Sequence, residues 1–207
     1  MSKLYVVGIG PGSADYLTFK SKKIVDSVDI LMGSKRALDL FPGSEGEQIQ
    51  LNAVNMKSQL KLAVSKVIHG KSVALLSTGD PGFSGILKPI LELSDDVEIE
   101  VVPGISSLQL CAAKLQIPWD NTNLITLHGK GLSNGLLRVI NNGKPTIILP
   151  NFKVDELIRY LISNGIDGDR KAVVCEKLGY PDERIVKKSL NNLLKIKFCY
   201  MSIVVVY

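Results

Sequence analysis

The chain has 207 residues, 45% hydrophobic and 22% charged, the balance of an ordinary folded protein with one large domain or two of about 100 residues each. No apolar run approaches the roughly 20 residues that span a bilayer, so no membrane segment is expected. Lys and Arg outnumber Asp and Glu by 25 to 20, but the lysines are scattered and no aromatic-rich nucleic-acid motif accompanies them. The excess charge points to a small anionic partner and away from nucleic acid.

Met1-Ser2-Lys3 runs straight into Leu4-Tyr5-Val6-Val7, an apolar stretch too short for a signal-peptide core, and it reads as the first strand. Further strands are expected at 28–32, 73–77 and 98–102. Between them, Leu60, Ala63, Val64, Val67 and Ile68 share one face of a helix over 58–69, which Gly70 stops. Ile86, Leu87, Ile90 and Leu91 mark a second helix. Leu108, Cys111, Ala112 and Leu115 mark a third, with Ser106 or Ser107 as its N-cap.

The text then changes to Gln116-Ile117-Pro118-Trp119-Asp120-Asn121, the best place for a linker over 116–122 between domains at 1–115 and 123–207. Beyond it, strands are expected near 123–127, 146–149, 172–175, 184–188 and 202–207, with helices near 133–141 and 153–163. Only a short helical candidate, Leu190 to Leu194, separates the last two strands. A mixed sheet should therefore follow a largely parallel one. Strand 202–207 is too apolar for a bare edge and must be covered by its own domain or by a partner.

Cys111, Cys175 and Cys199 are odd in number, widely spaced and without a CxxC pair. They read as packing residues in a reducing cytoplasm, with no metal site.

Three expected strands end in loops rich in glycine and proline: Gly8-Ile9-Gly10-Pro11-Gly12, Thr78-Gly79-Asp80-Pro81-Gly82 and Pro103-Gly104-Ile105-Ser106-Ser107. Such loops let main chain approach a ligand at the carboxyl edge of an α/β sheet. The first is not a dinucleotide fingerprint. Ser13 stands at the sixth position, Pro11 removes an amide, and the second strand ends in Met32-Gly33-Ser34 without an acid. No GxxxxGK[ST] motif occurs either. Carbonyls, amides, a carboxylate and small walls suit an adenosine or amino-acid moiety.

In order and spacing, these three loops resemble the tetrapyrrole methylase family, and the resemblance covers nearly the whole chain. Ala14-Asp15-Tyr16-Leu17-Thr18, Leu127-His128-Gly129-Lys130 and Glu176-Lys177-Leu178-Gly179-Tyr180-Pro181-Asp182-Glu183 resemble a branch that methylates a ring carbon of a corrin precursor in cobalamin biosynthesis. Lys130 stands where that branch leads one to expect arginine. The charge survives, but a bidentate carboxylate grip does not. A family member acting on an elongation factor or on ribosomal RNA is the rival reading, and an NAD-dependent oxidoreductase a more distant one.

The resemblance implies an α/β protein of two α/β domains, with S-adenosylmethionine in the cleft between a mostly parallel N-terminal sheet and a mixed C-terminal one. It implies cofactor contacts from Pro11, Gly79, Asp80, Phe83, Ser106, Ser107 and Leu149. Substrate contacts fall to Gly10, Lys130 and Glu176, and His128 is the candidate catalytic side chain. The implied substrate is an anionic tetrapyrrole, to which Lys35, Arg36 and Arg138 are further candidate partners; any cobalt would arrive inside it. The resemblance also implies a homodimer and, as a functional neighbour, a separate decarboxylating methyltransferase of the same pathway. Little acid–base chemistry is needed, because a sulfonium is a good leaving group and alignment lowers the barrier. His69, ending a helix beside Gly70, reads as a capping residue.

Overall fold

Leu4–Gly8 (β1) alternates its side chains between two apolar layers, which is what a parallel strand covered on both faces requires. Leu4 and Val6 enter one core with Ile30, Met32, Val73 and Leu75, while Val7 enters the other with Leu31, Ala74 and Leu76. The computed structural model that shows this describes residues 2–94, 97–151 and 153–207. The chain divides into two units, one ending at Ser106 and one running from Ser107 to Tyr207.

In the first unit β1 is followed by α1 (Phe19–Val25), β2 (Ile30–Gly33), α2 (Lys35–Leu38), β3 (Glu47–Gln50), α3 (Met56–Ile68), β4 (Val73–Ser77), α4 (Leu87–Leu91) and β5 (Ile99–Val102). The five strands form a wholly parallel sheet in the order β3-β2-β4-β1-β5. Leu60, Ala63, Val64 and Val67 of α3 cover one face, and Ile24, Val25, Ala37 and Leu38 of α1 and α2 the other. Gly70 closes α3 with φ +86°, its amide donating to the Val67 carbonyl at 2.9 Å.

The second unit holds α5 (Ser107–Leu115), β6 (Asn123–Thr126), α6 (Asn134–Ile140), β7 (Thr146–Leu149), α7 (Val154–Ser163), β8 (Lys171–Glu176), β9 (Arg184–Ser189), α8 (Leu190–Leu193) and β10 (Ser202–Val206). Its sheet runs β6-β7-β10-β8-β9. β6 and β7 are parallel, and β10 is antiparallel to both β7 and β8. Helices α6, α7 and α8 pack on the face that carries Ile148, Val174, Val204 and Val206. On α5, Cys111 lies 3.7 Å from Cys175 of β8, sulfur to sulfur, and both are buried. The neighbouring thiol and burial push the Cys111 pKa well above the usual thiol range.

All the expected strands form, with ends shifted by a residue or two. The fully buried β10 resolves its own question: β7 and β8 cover it from within the unit. Three elements were not foreseen. β3 reads Glu-Gln-Ile-Gln and buries little because it is an edge strand, while α1 and α2 are too short to declare a helical period. Two residues assigned to buried helical faces are exposed, Ile68 at 60% and Leu91 at 51%, since each closes its helix beyond the sheet's cover. The division between units falls before α5, one helix earlier than the stretch 116–122, because α5 packs on β10 of the second unit. No helix among the described residues is long and apolar enough to cross a membrane.

Candidate functional site

β1, β4 and β5 are far apart in sequence but lie side by side in the sheet as β4-β1-β5. Their carboxyl ends therefore deliver the three glycine-rich loops to one place. The approach is main chain against main chain. A Cβ on Gly8 would stand 2.5 Å from the Gly104 amide nitrogen, and one on Gly104 would stand 2.3 Å from the Gly79 carbonyl oxygen. Both lie below any normal carbon contact, so neither position accepts a side chain without movement. Gly10 and Gly79 are paired as an isolated bridge, the Gly79 amide donating to the Gly10 carbonyl at 2.8 Å.

Asp80 ties this arrangement together. One carboxylate oxygen accepts the Gly82 amide at 2.8 Å, closing the second loop on itself. The other accepts the Gly104 amide at 3.2 Å, which fastens the third loop to the second. The first loop is held from behind: Ser21 of α1 donates its hydroxyl to the Gly8 carbonyl at 2.8 Å, and Ser21 itself is buried. Thr18 caps α1 by accepting the Ser21 amide at 3.0 Å. Nothing in the sequence marked Ser21, because a lone serine in a short lysine-rich helix resembles solvated surface.

Of the cofactor candidates, Pro11 and Gly79 are buried, whereas Asp80, Phe83 and Ser106 are half-buried around them. Phe83 turns back on Asp80, its amide donating to the Asp80 carbonyl at 3.3 Å. Ser107 opens α5 in the second unit, and Leu149 ends β7 there, half-buried. The loops carry no lysine or arginine over 8–12, 78–83 and 103–107. A site of main chain, small walls and one carboxylate suits a neutral nucleoside joined to a cationic sulfur and does not suit a polyphosphate.

His128 and Lys130 share one tight turn at the end of β6. Gly129 takes φ +69° between them, and the Lys130 amide donates to the Leu127 carbonyl at 2.9 Å. His128 is exposed as a residue, and partial desolvation of its ring lowers its pKa from the ordinary histidine value of 6.5.

Glu176, a candidate substrate contact, ends β8. It is 5% exposed and ion-paired with Arg184, and its second oxygen accepts the Cys199 amide. The carboxylate is occupied inside the second unit. The neighbouring turn is equally committed: Lys177 pairs with Asp182, Glu183 accepts the Gly179 amide at 3.0 Å, and Lys114 of α5 reaches Glu183 at 2.9 Å. No group of three or more His, Cys, Asp or Glu among the described residues is placed to hold a metal ion.

Residues 3–194 match the family described as Tetrapyrrole (Corrin/Porphyrin) Methylases. The chain belongs to this family. It is accordingly a methyltransferase, and its methyl donor is S-adenosylmethionine. Among its relatives is a probable cobalt-precorrin-7 C(5)-methyltransferase from Methanocaldococcus jannaschii, 45% identical over 205 residues that cover 98% of this chain and 96% of that one. A cobalt-precorrin-7 C(5)-methyltransferase from Salmonella typhimurium is 29% identical over 184 residues, 88% of either chain.

The fold of this methylase recurs in solved structures. A precorrin-6Y methylase of cobalamin biosynthesis from Archaeoglobus fulgidus superposes with a TM-score of 0.78 at 23% identity, covering 100% of this chain and 98% of its own. A uroporphyrin-III C-methyltransferase from Thermus thermophilus, complexed with S-adenosylhomocysteine, superposes with a TM-score of 0.80 at 19% identity, covering 99% and 91%.

Proposed function

We propose that this methylase transfers the methyl group of S-adenosylmethionine to C5 of cobalt-precorrin-7 in cobalamin biosynthesis. The observation that carries the reading is the 45% identity to the archaeal relative, sustained along almost the whole of both chains. The cofactor supplies an electrophilic methyl on a cationic sulfur that departs as a neutral thioether.

The chain's own residues are left to bind and align. Gly8, Gly79 and Gly104 bring three turns within main-chain contact, and Asp80 keeps the second and third in register, so the cradle exists before any ligand arrives. Pro11, Phe83, Ser106, Ser107 and Leu149 are the remaining cofactor contacts in this reading, and Gly10, packed against the Tyr16 carbonyl, is a substrate contact through its main chain. Its distribution of charge favours an acidic substrate: residues 107–207 hold 14 Lys and Arg against 8 Asp and Glu, whereas residues 1–106 hold 11 against 12. Lys130 offers a cation to a carboxylate of the ring. His128, kept neutral, is the group able to accept a proton as the ring carbon gains its methyl. The reading also carries a homodimer in a reducing cytoplasm and a neighbouring decarboxylating methyltransferase.

The test is a methyl-transfer assay with labelled S-adenosylmethionine, offered cobalt-precorrin-7, elongation factor or ribosomes in separate reactions. Label in the corrinoid alone, placed at C5 by NMR, is the expected result. Label in the protein or RNA, or at another ring carbon, overturns it.

A further inference from the structure

A cavity of about 550 Å³ opens in the second unit between the start of α7 and the segment that follows α8. Val154, Leu194, Ile196 and Phe198 give it an apolar lining, which it shares with four cations: Lys153, Arg159, Lys195 and Lys197. Asp155 is the single acid in the lining, and it faces Arg159 at 3.8 Å. Lys195 also donates to the Asn192 side-chain oxygen at 3.3 Å, a neutral partner that leaves its charge uncompensated. The cavity thus carries a net charge of about +3 beside an apolar lining, inside the unit that holds all of the chain's excess positive charge.

One wall of this cavity is fixed from behind. The Arg184 guanidinium lies over the Phe198 ring at 5.1 Å and donates to the Lys197 carbonyl at 2.8 Å. Arg184 is in turn anchored by the buried Glu176, whose other oxygen holds the Cys199 amide. A buried carboxylate paired with a half-exposed guanidinium is thereby used to stiffen a surface segment that bears two lysines and an aromatic ring. This accounts for a buried carboxylate in a strand whose other buried residues are apolar.

We propose that this cavity is a subsite for the carboxylate-bearing edge of a tetrapyrrole, with the peripheral acids on the lysines and the ring's apolar edge on Phe198 and Ile196. The proposal rests on the function argued above. Its volume suits part of a macrocycle, since sites of about 300–1,000 Å³ enclose drug-sized ligands. Long, separate lysine side chains match carboxylates spread around a ring. A compact phosphate would call for converging amides or a guanidinium fork, and an apolar lining would be wasted on it. Glu176 and Arg184 are positioning residues here, acting through the wall.

The probe is uroporphyrin, which carries carboxylates on every peripheral arm, titrated by its own fluorescence against the full chain. Replacing both Lys195→Ala and Lys197→Ala should weaken binding about tenfold, and Lys195→Arg with Lys197→Arg should restore it to within about twofold. Binding should also weaken steeply with salt. Mesoporphyrin, which keeps the ring but lacks most of the acids, should bind far more weakly, and pyrophosphate at equal concentration should not displace uroporphyrin. Unchanged affinity in the alanine variant overturns the proposal, as does mesoporphyrin binding as tightly or displacement by pyrophosphate. If uroporphyrin binds in a lysine-dependent way but no corrinoid is methylated, the subsite stands and the function assigned above falls. If cobalt-precorrin-7 is methylated with an unchanged KM in the alanine variant, that function stands and the subsite falls.

Discussion

Asp80 and Gly104, 24 positions apart, are joined by a 3.2 Å hydrogen bond from the glycine amide to the aspartate carboxylate. The same carboxylate accepts the Gly82 amide at 2.8 Å, so one side chain closes its own loop and fastens the next. In the proposed cofactor site, Asp80 acts by holding the second and third loops in place. Replacing it with alanine should cost roughly 1–2 kcal/mol of stability, since two charge-assisted bonds are lost at a half-exposed position. S-adenosylmethionine affinity should fall about tenfold. Asparagine, which keeps one acceptor for two donors, should fall between. Denaturant titration and calorimetry on the same samples check both effects, and full affinity in the alanine variant would refute the clamp.

Gly104→Ala should be the most damaging single methyl group in the first unit. The added carbon would sit 2.3 Å from the Gly79 carbonyl oxygen and 2.7 Å from the Gly8 carbonyl carbon, with rigid main chain on both sides. A cost of about 1–3 kcal/mol is expected, together with a loss of cofactor binding. Gly43→Ala is the control, since nothing lies within 4 Å of its added carbon and stability should hold or rise slightly. A thermal shift that ranks the two variants the other way would contradict the contact.

Arg184→Ala should leave the Glu176 carboxylate buried without its charge partner. Because Arg184 is itself 48% exposed, the loss is discounted from the full cost of a broken buried pair to about 1–3 kcal/mol. Adding Glu176→Gln should recover part of it, because a neutral amide can still accept the Cys199 amide. A denaturation cycle over the two single variants and the double variant measures this coupling.

His128 should titrate below 6.5, since partial desolvation of its ring, at a position otherwise exposed, disfavours its cation. A histidine whose folded pKa is depressed contributes stability that is present above its unfolded pKa and is lost as the pH falls through the folded value. His128→Gln should therefore flatten the acid side of the stability profile below about pH 6.5 and leave the neutral side unchanged. Ring-proton NMR, assigned by loss of the signal in the variant, gives the midpoint directly. A midpoint above 6.5 would show that a charge partner outweighs desolvation.

Much of this protein was legible in the sequence because its strands are short apolar runs set between glycine and proline turns. The run Ser202–Val206 could only be a covered strand, and Leu60, Ala63, Val64 and Val67 could only be one face of a helix. Period and punctuation are local properties, so they survive without knowledge of the neighbours. β3 escaped because an edge strand such as Glu47–Gln50 needs no apolar alternation, and Ser21 escaped because its partner is a carbonyl of another element.

The sequence by itself determined that three stiff, glycine-bearing turns follow three strands, and it excluded a phosphate-binding fingerprint in the first of them. Only the tertiary structure decided that β1, β4 and β5 are neighbours, so that Gly8, Gly79 and Gly104 touch and Asp80 spans two loops. It also decided that Glu176 is buried and holds Arg184 and the Cys199 amide. The reason is physical: strand order and the pairing of distant charges depend on which surfaces meet, and a linear spacing rule carries no information about that.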